Sequence, residues 1–155
     1  REILAAKRIQ EEALAEQKRK MILDAASTKD AATIAQQRSM RERPEVMIIE
    51  DDVFSRKLVD NLLHKHFHVT GLGTADEALD TYTRLAPDVL FLDINLPDVT
   101  GHELLERIVT LDPNAYVIML SGNSDKENIF KAMNKGAKGF VGKPFSKEKL
   151  LQYIE

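Results

Sequence analysis

Val89-Leu90-Phe91-Leu92-Asp93-Ile94-Asn95-Leu96-Pro97-Asp98-Val99-Thr100-Gly101 decides how this chain of 155 residues is read. Four apolar residues end in an acid, a loop punctuated by Pro97 follows, and Thr100 with Glu103 opens a helix as a capping box. A short, unbroken apolar run bounded by turn signals reads as a strand buried on both faces, the pattern of parallel sheets. Three more runs end the same way. Val46-Met47-Ile48-Ile49 leads into Glu50-Asp51-Asp52, Tyr116-Val117-Ile118-Met119-Leu120 into Ser121, and Gly139-Phe140-Val141-Gly142 into Lys143. As parallel strands they would gather carboxylates, a hydroxyl and an ammonium along one sheet edge, a set suited to a divalent cation and a phosphoryl group.

Between the strands lie helix signals. Thr74-Ala75-Asp76-Glu77 and Ser124-Asp125-Lys126-Glu127 also match the capping-box pattern. Asp52 and Ser146 are predicted as simple N-caps, and Lys135-Gly136 as a helix stop. His68-Val69-Thr70-Gly71-Leu72 and Gly139-Phe140-Val141 are weaker strand signals, as expected of sheet edges. Five β–α repeats in roughly 110 residues predict one α/β domain with a doubly wound, five-stranded parallel sheet. In the order 2-1-3-4-5, right-handed crossovers bring the strands' carboxyl ends together at a switch point.

Pro44 marks the predicted boundary of that domain, 44–155. Residues 1–43 lack glycine and proline and have a helix-forming composition. Leu14, Met21 and Ala35 share one heptad position, with Thr28 between them, while the companion seam through Leu4, Glu11, Lys18, Ala25 and Ala32 is polar for a coiled coil. Ser27-Thr28-Lys29-Asp30 is a candidate break and cap. A helical linker and a dimerising coiled-coil arm therefore stand as two readings of 1–43. The chain opens on Arg1 rather than methionine and is read as a piece of a longer protein, with no output domain after the last helix.

Lys and Arg number 10 against 7 Asp and Glu in residues 1–43, and 12 against 18 in 44–155, so +3 and −6 make the net −3. Neither part has the concentrated basic patch that binding to a phosphate backbone needs, so nucleic acid is not an expected partner. No run of roughly 20 apolar residues is present to span a bilayer. With no cysteine, thiolate metal sites are excluded and a cytoplasmic location is the default expectation.

Glu50, Asp51 and Asp93 would repel one another at adjacent strand ends unless a cation sat among them. Oxygen-only ligation suits Mg²⁺, or Mn²⁺, rather than zinc. One aspartate at a strand end is ordinarily a solvated loop acid; three at two neighbouring ends are not. Lys143 and Ser121 would then meet the oxygens of a phosphoryl group carried by Asp93. His64, His66 and His68 read as surface residues at a strand entrance, and His102 as an exposed residue in a first helical turn.

These motifs in this order resemble the receiver domain of two-component response regulators, over about residues 45–155. The resemblance implies that Asp93 is the phosphoacceptor, assisted by Lys143 and Ser121. It implies a metal site of Glu50, Asp51, Asp93 and the backbone carbonyl of Asn95, with Glu50 acting mostly through a metal-bound water. Phe140 would be an aromatic switch that turns inward as Ser121 moves, and Lys143-Pro144 a cis peptide. The phosphoryl donor would be a histidine kinase or a histidine phosphotransfer protein. Homodimers would use residues 1–43 or the face of the fourth helix, fifth strand and fifth helix, and the output module is unknown. Glu50 stands where the family more often has aspartate, Ser121 where it has threonine, and Phe140 has no tyrosine hydroxyl. The domain would be a signalling switch rather than an enzyme. A Mg²⁺-dependent phosphatase of the haloacid dehalogenase type is the alternative, but it wants an acid where Asn95 stands; a silent receiver-like scaffold is another. A flavodoxin-like flavin binder is disfavoured because Glu50-Asp51-Asp52 would repel a flavin phosphate.

Overall fold

A computed structural model describes residues 2–24, 30–122 and 126–154. Two helices come first, α1 (Glu2–Leu23) and α2 (Ala31–Ser39). Strands and helices then alternate as β1 (Glu45–Ile49), α3 (Val53–Leu63), β2 (His68–Leu72), α4 (Ala78–Leu85), β3 (Val89–Asp93), α5 (Gly101–Leu111), β4 (Val117–Ser121), α6 (Lys126–Asn134), β5 (Gly139–Gly142) and α7 (Lys147–Leu151). All five strands are parallel in the order β2-β1-β3-β4-β5, as the apolar runs predict.

The unbroken runs of β1, β3 and β4 are buried at every position. Their alternate residues serve two cores, because successive side chains in a strand point to opposite faces. Met47, Ile49, Leu90, Leu92, Val117 and Met119 pack beneath α4 and α5, with Leu79, Tyr82, Leu104, Leu105 and Ile108. Val46, Ile48, Val89, Phe91, Ile118 and Leu120 face Val59 and Leu63 of α3 and Leu150 of α7. The partly exposed β2 and β5 form the edges.

Local chemistry sets most helix ends. Asp52 accepts from the Phe54 amide, Ser146 from that of Lys149, and Asp30 from that of Thr33. The box at Thr100 and Glu103 is complete, and Gly136 stops α6 with φ +112°. The Thr74 box does not form. Glu77 precedes α4 without a side-chain cap, and the Ala75 amide donates to Asp98, at 3.1 Å, in the loop after β3. Ser27–Lys29, Asn123, Ser124 and Asp125, which hold two further predicted caps, lie outside the described residues. Ala86, not a glycine, ends α4 in the left-handed region with φ 46°.

His102 is a correction. It is buried rather than exposed, at the seam where α5 meets α6. Burial lowers its pKa, and Lys131 and Lys135 act in the same direction. His64, His66 and His68 are exposed, as expected. Among the described residues no helix is long and apolar enough to cross a membrane.

The arm does not lie apart from the sheet domain. Ile22 enters the core beneath α4 and α5, Ile34 is fully buried, and Leu23 packs partly against the same core. In α2, Arg38 donates at 2.6 Å to Asp112, which is fully buried and also accepts from the Tyr82 hydroxyl at 2.7 Å. Although burial pulls against it, that carboxylate holds the Arg38 guanidinium above its usual pKa. Arg41 pairs with Asp88 at 2.8 Å. The two heptad seams are split between α1 and α2, and Leu4, Leu14 and Met21 are exposed.

Candidate metal and phosphoryl site

Strand register builds the site. β1 and β3 are paired neighbours, so the acids that leave their carboxyl ends emerge side by side. Beyond β3, Asp93 pairs with Leu120, and Ser121 with Gly142, which brings Lys143 to the same edge. The Lys143 amide donates to the Ser121 carbonyl at 2.8 Å and continues the ladder one step past β5.

One carboxylate oxygen each from Glu50, Asp51 and Asp93 lies within 4.8 Å of the others. Glu50 is fully buried, Asp93 is buried, and Asp51 is exposed. Lys143 Nζ is 2.8 Å from both oxygens of Glu50 and 3.6 Å from Asp93 Oδ2. The ammonium is aligned for a hydrogen bond to Oε1, which leaves Glu50 Oε2 buried without an aligned donor. A buried, undersatisfied carboxylate oxygen beside two further carboxylates fits a hard cation.

Two buried acids share one ammonium. The Asp93 pKa is pushed up to about 7, first by burial and then by the Glu50 charge, while the Asn95 amide and Lys143 oppose the rise. Burial lowers that of Lys143, but Glu50 and Asp93 outweigh it and hold the ammonium above its ordinary value. Lysine therefore stays charged, and a cation bound among the acids would favour the ionised form of Asp93.

Backbone chemistry aims Asp93. The Asn95 amide donates to Oδ1 at 3.1 Å, and Asn95 and Thr100 close the loop by an isolated bridge. Gly101 sits where a Cβ would be 2.3 Å from the Asp93 carbonyl oxygen, so only glycine lets α5 begin this close to Asp93. Lys143-Pro144 is cis, as the resemblance implies.

The structure thus brings Glu50, Asp51, Asp93 and Lys143 into one pocket and buries Ser121 at the end of the adjoining strand. Asn95 is exposed, two residues beyond Asp93. Phe140 stands apart from the acids, 40% exposed on edge strand β5. Arg56 was not predicted. From α3 it donates to the carbonyls of Glu50 at 2.7 Å and Asp51 at 3.2 Å, tying down the backbone of both acids. Gly73 leaves room for that guanidinium, since a Cβ there would lie 2.6 Å from it. A basic residue one turn past an N-cap is the signal, but the direction it reaches is not written in it.

A family profile described as response regulator receiver domain matches residues 46–155. The chemotaxis protein CheY of Listeria monocytogenes is 34% identical over 113 residues, which is 72% of this chain and 95% of that protein. Its counterpart in Thermotoga maritima is 31% identical over 111 residues, 70% of this chain and 92% of that protein. Among solved structures, a chain of the CheX–CheY–BeF3–Mg²⁺ complex from Borrelia burgdorferi is similar with a TM-score of 0.65 and 31% identity, covering 71% of this chain and 85% of its own. The BeF3-activated DrrB receiver domain gives a TM-score of 0.67 at 31% identity, covering 72% and 94%.

Proposed function

The chain belongs to the response regulator receiver domain family, and on that premise we propose that Asp93 is its phosphoacceptor. The supporting observation is the convergence of Glu50, Asp51, Asp93 and Lys143 at one sheet edge. An Asp93 oxygen forms a bond to phosphorus as the bond to the nitrogen of a phosphohistidine protonated on its other ring nitrogen breaks, leaving neutral imidazole on the donor. The donor is a histidine kinase or a histidine phosphotransfer protein. Lys143 supplies a fixed positive charge beside the oxygens that Asp93 gains, and Ser121 a hydroxyl from the next strand.

Glu50, Asp51 and Asp93, with the Asn95 carbonyl, are the proposed ligands of Mg²⁺. The ion would neutralise charge on the transferring group. Arg56 keeps the backbone of two of these residues in place.

The face formed by α6, β5 and α7 is the proposed output surface. It exposes Phe130, Met133 and Phe140 at 69, 43 and 40%, apolar area suited to a protein partner or a second copy. Movement of Ser121 toward a phosphoryl group would open space for Phe140 to turn inward. We place this signalling in the cytoplasm, and read 44–155 as the receiver and 1–43 as an arm that answers to it. A haloacid dehalogenase-type phosphatase reading is not favoured, because Asn95 cannot serve as the second acid.

Acetyl phosphate with Mg²⁺ tests the assignment. Intact mass should rise by one phosphoryl group in the native chain and not in Asp93→Asn. Equal labelling of both proteins would remove Asp93 from its role.

A further inference from the structure

Among the described residues, the contacts that seat helix α1 lie from Lys18 onward. Its residues up to Lys18 are exposed, whereas Arg19 and Leu23 are half-buried and Ile22 is buried. The exposed part is roughly 25 Å long at 1.5 Å per residue. An apolar groove of about 670 Å³, bordered by Leu14, Met21, Ile22 and Asp76, remains beside it.

The anchoring contacts converge on the loop that follows Asp93. Arg19 binds Oε2 of Glu103, while Oε1 of the same carboxylate accepts from the Thr100 hydroxyl at 3.1 Å and faces the Thr100 amide at 3.4 Å. Glu103 therefore serves α1 with one oxygen and the α5 cap with the other. Gly101, between Thr100 and Glu103, is packed against the Asp93 carbonyl. Lys18 pairs with Asp76 at 3.4 Å, next to the Ala75 amide that Asp98 of this loop holds. Arg107, one turn on from Glu103, donates to the Leu23 carbonyl at 2.5 Å.

We infer that Arg19 and Glu103 form a latch that couples the seating of α1 to occupancy of the Asp93 pocket. The inference rests on the phosphoacceptor reading above. The latched arrangement is that of the pocket in which Lys143 is hydrogen-bonded to Glu50 and pairs with Asp93 at 3.6 Å. An anionic group on Asp93 re-seats the 94–100 loop, and the loop cannot move without the first turn of α5, because Gly101 leaves no slack. Occupancy therefore loosens α1, and by linkage a loosened α1 favours occupancy. A small shift at the last turn becomes a large one at the far end of an exposed helix.

Beryllofluoride with Mg²⁺, added to the whole chain, tests this. Hydrogen exchange of the 19–23 amides should quicken on binding, and Arg19→Glu should bind beryllofluoride about threefold more tightly by calorimetry, as expected for a half-buried ion pair near the surface. Binding with unchanged or slower exchange at 19–23, or with equal affinity in Arg19→Glu, overturns the latch and leaves the receiver reading standing. No binding to either protein overturns the phosphoacceptor reading itself.

Discussion

Replacing Asp93 by asparagine in metal-free protein should stabilise the fold, and increasingly so as pH rises. Asp93 is 3% exposed and has fully buried Glu50 for a neighbour, so its ionised form is disfavoured and its pKa stands at about 7 against an ordinary 3.8. Between those values the folded chain holds a proton that the unfolded chain has lost, so the native protein loses stability as pH climbs toward 7. From pH 5 to pH 8 about two pH units of that interval are crossed, which at 1.36 kcal/mol each sets a ceiling of about 3 kcal/mol. Water at the rim of the pocket reduces this to about 1–2 kcal/mol. Asparagine keeps the oxygen that accepts from the Asn95 amide, and Lys143 keeps Glu50, so the substitution removes little besides the charge. Urea denaturation followed by circular dichroism, with a chelator at pH 5 and pH 8, measures the effect. The advantage of Asp93→Asn should widen by about 1–2 kcal/mol between the two, and Mg²⁺ at pH 8 should narrow it by stabilising the native chain. A constant difference at both pH values would show that burial beside Glu50 does not raise the Asp93 pKa.

Arg38→Ala should destabilise the chain by about 3 kcal/mol, because it strands the fully buried Asp112 with only neutral donors; a loss under about 0.5 kcal/mol in the same melts would show that α2 is not part of the folded unit. Gly101→Ala should cost about 2 kcal/mol or more and weaken Mg²⁺ binding, since its Cβ would lie 2.3 Å from the Asp93 carbonyl oxygen. Thr100→Ala, losing only a cap, should cost about 1 kcal/mol. If the two variants melted alike, the close packing of α5 on β3 would be disproved.

The sheet was legible because burial on both faces leaves a mark that survives in one dimension. Val46–Ile49, Val89–Leu92 and Val117–Leu120 admit no polar residue, and the first polar residue after each run is where the backbone leaves the core. Strand identity, the polar endings at Glu50, Asp93, Ser121 and Lys143, and the caps at Asp52, Thr100 and Ser146 were therefore readable in sequence. Each depends on residues within a few positions of one another. What only the tertiary structure decided depends on pairs far apart in the chain. Asp98 reached the Ala75 amide from 23 residues away, α6 buried His102, and Arg56 turned back to the acid loop. Docking of the arm is the largest case. Arg38 meets Asp112 across 74 residues and Arg19 meets Glu103 across 84, and an arginine on a polar helix looks the same whether it faces water or a buried carboxylate. Periodicity records which side of an element is apolar; the identity of a distant charged partner is set only when the chain closes on itself.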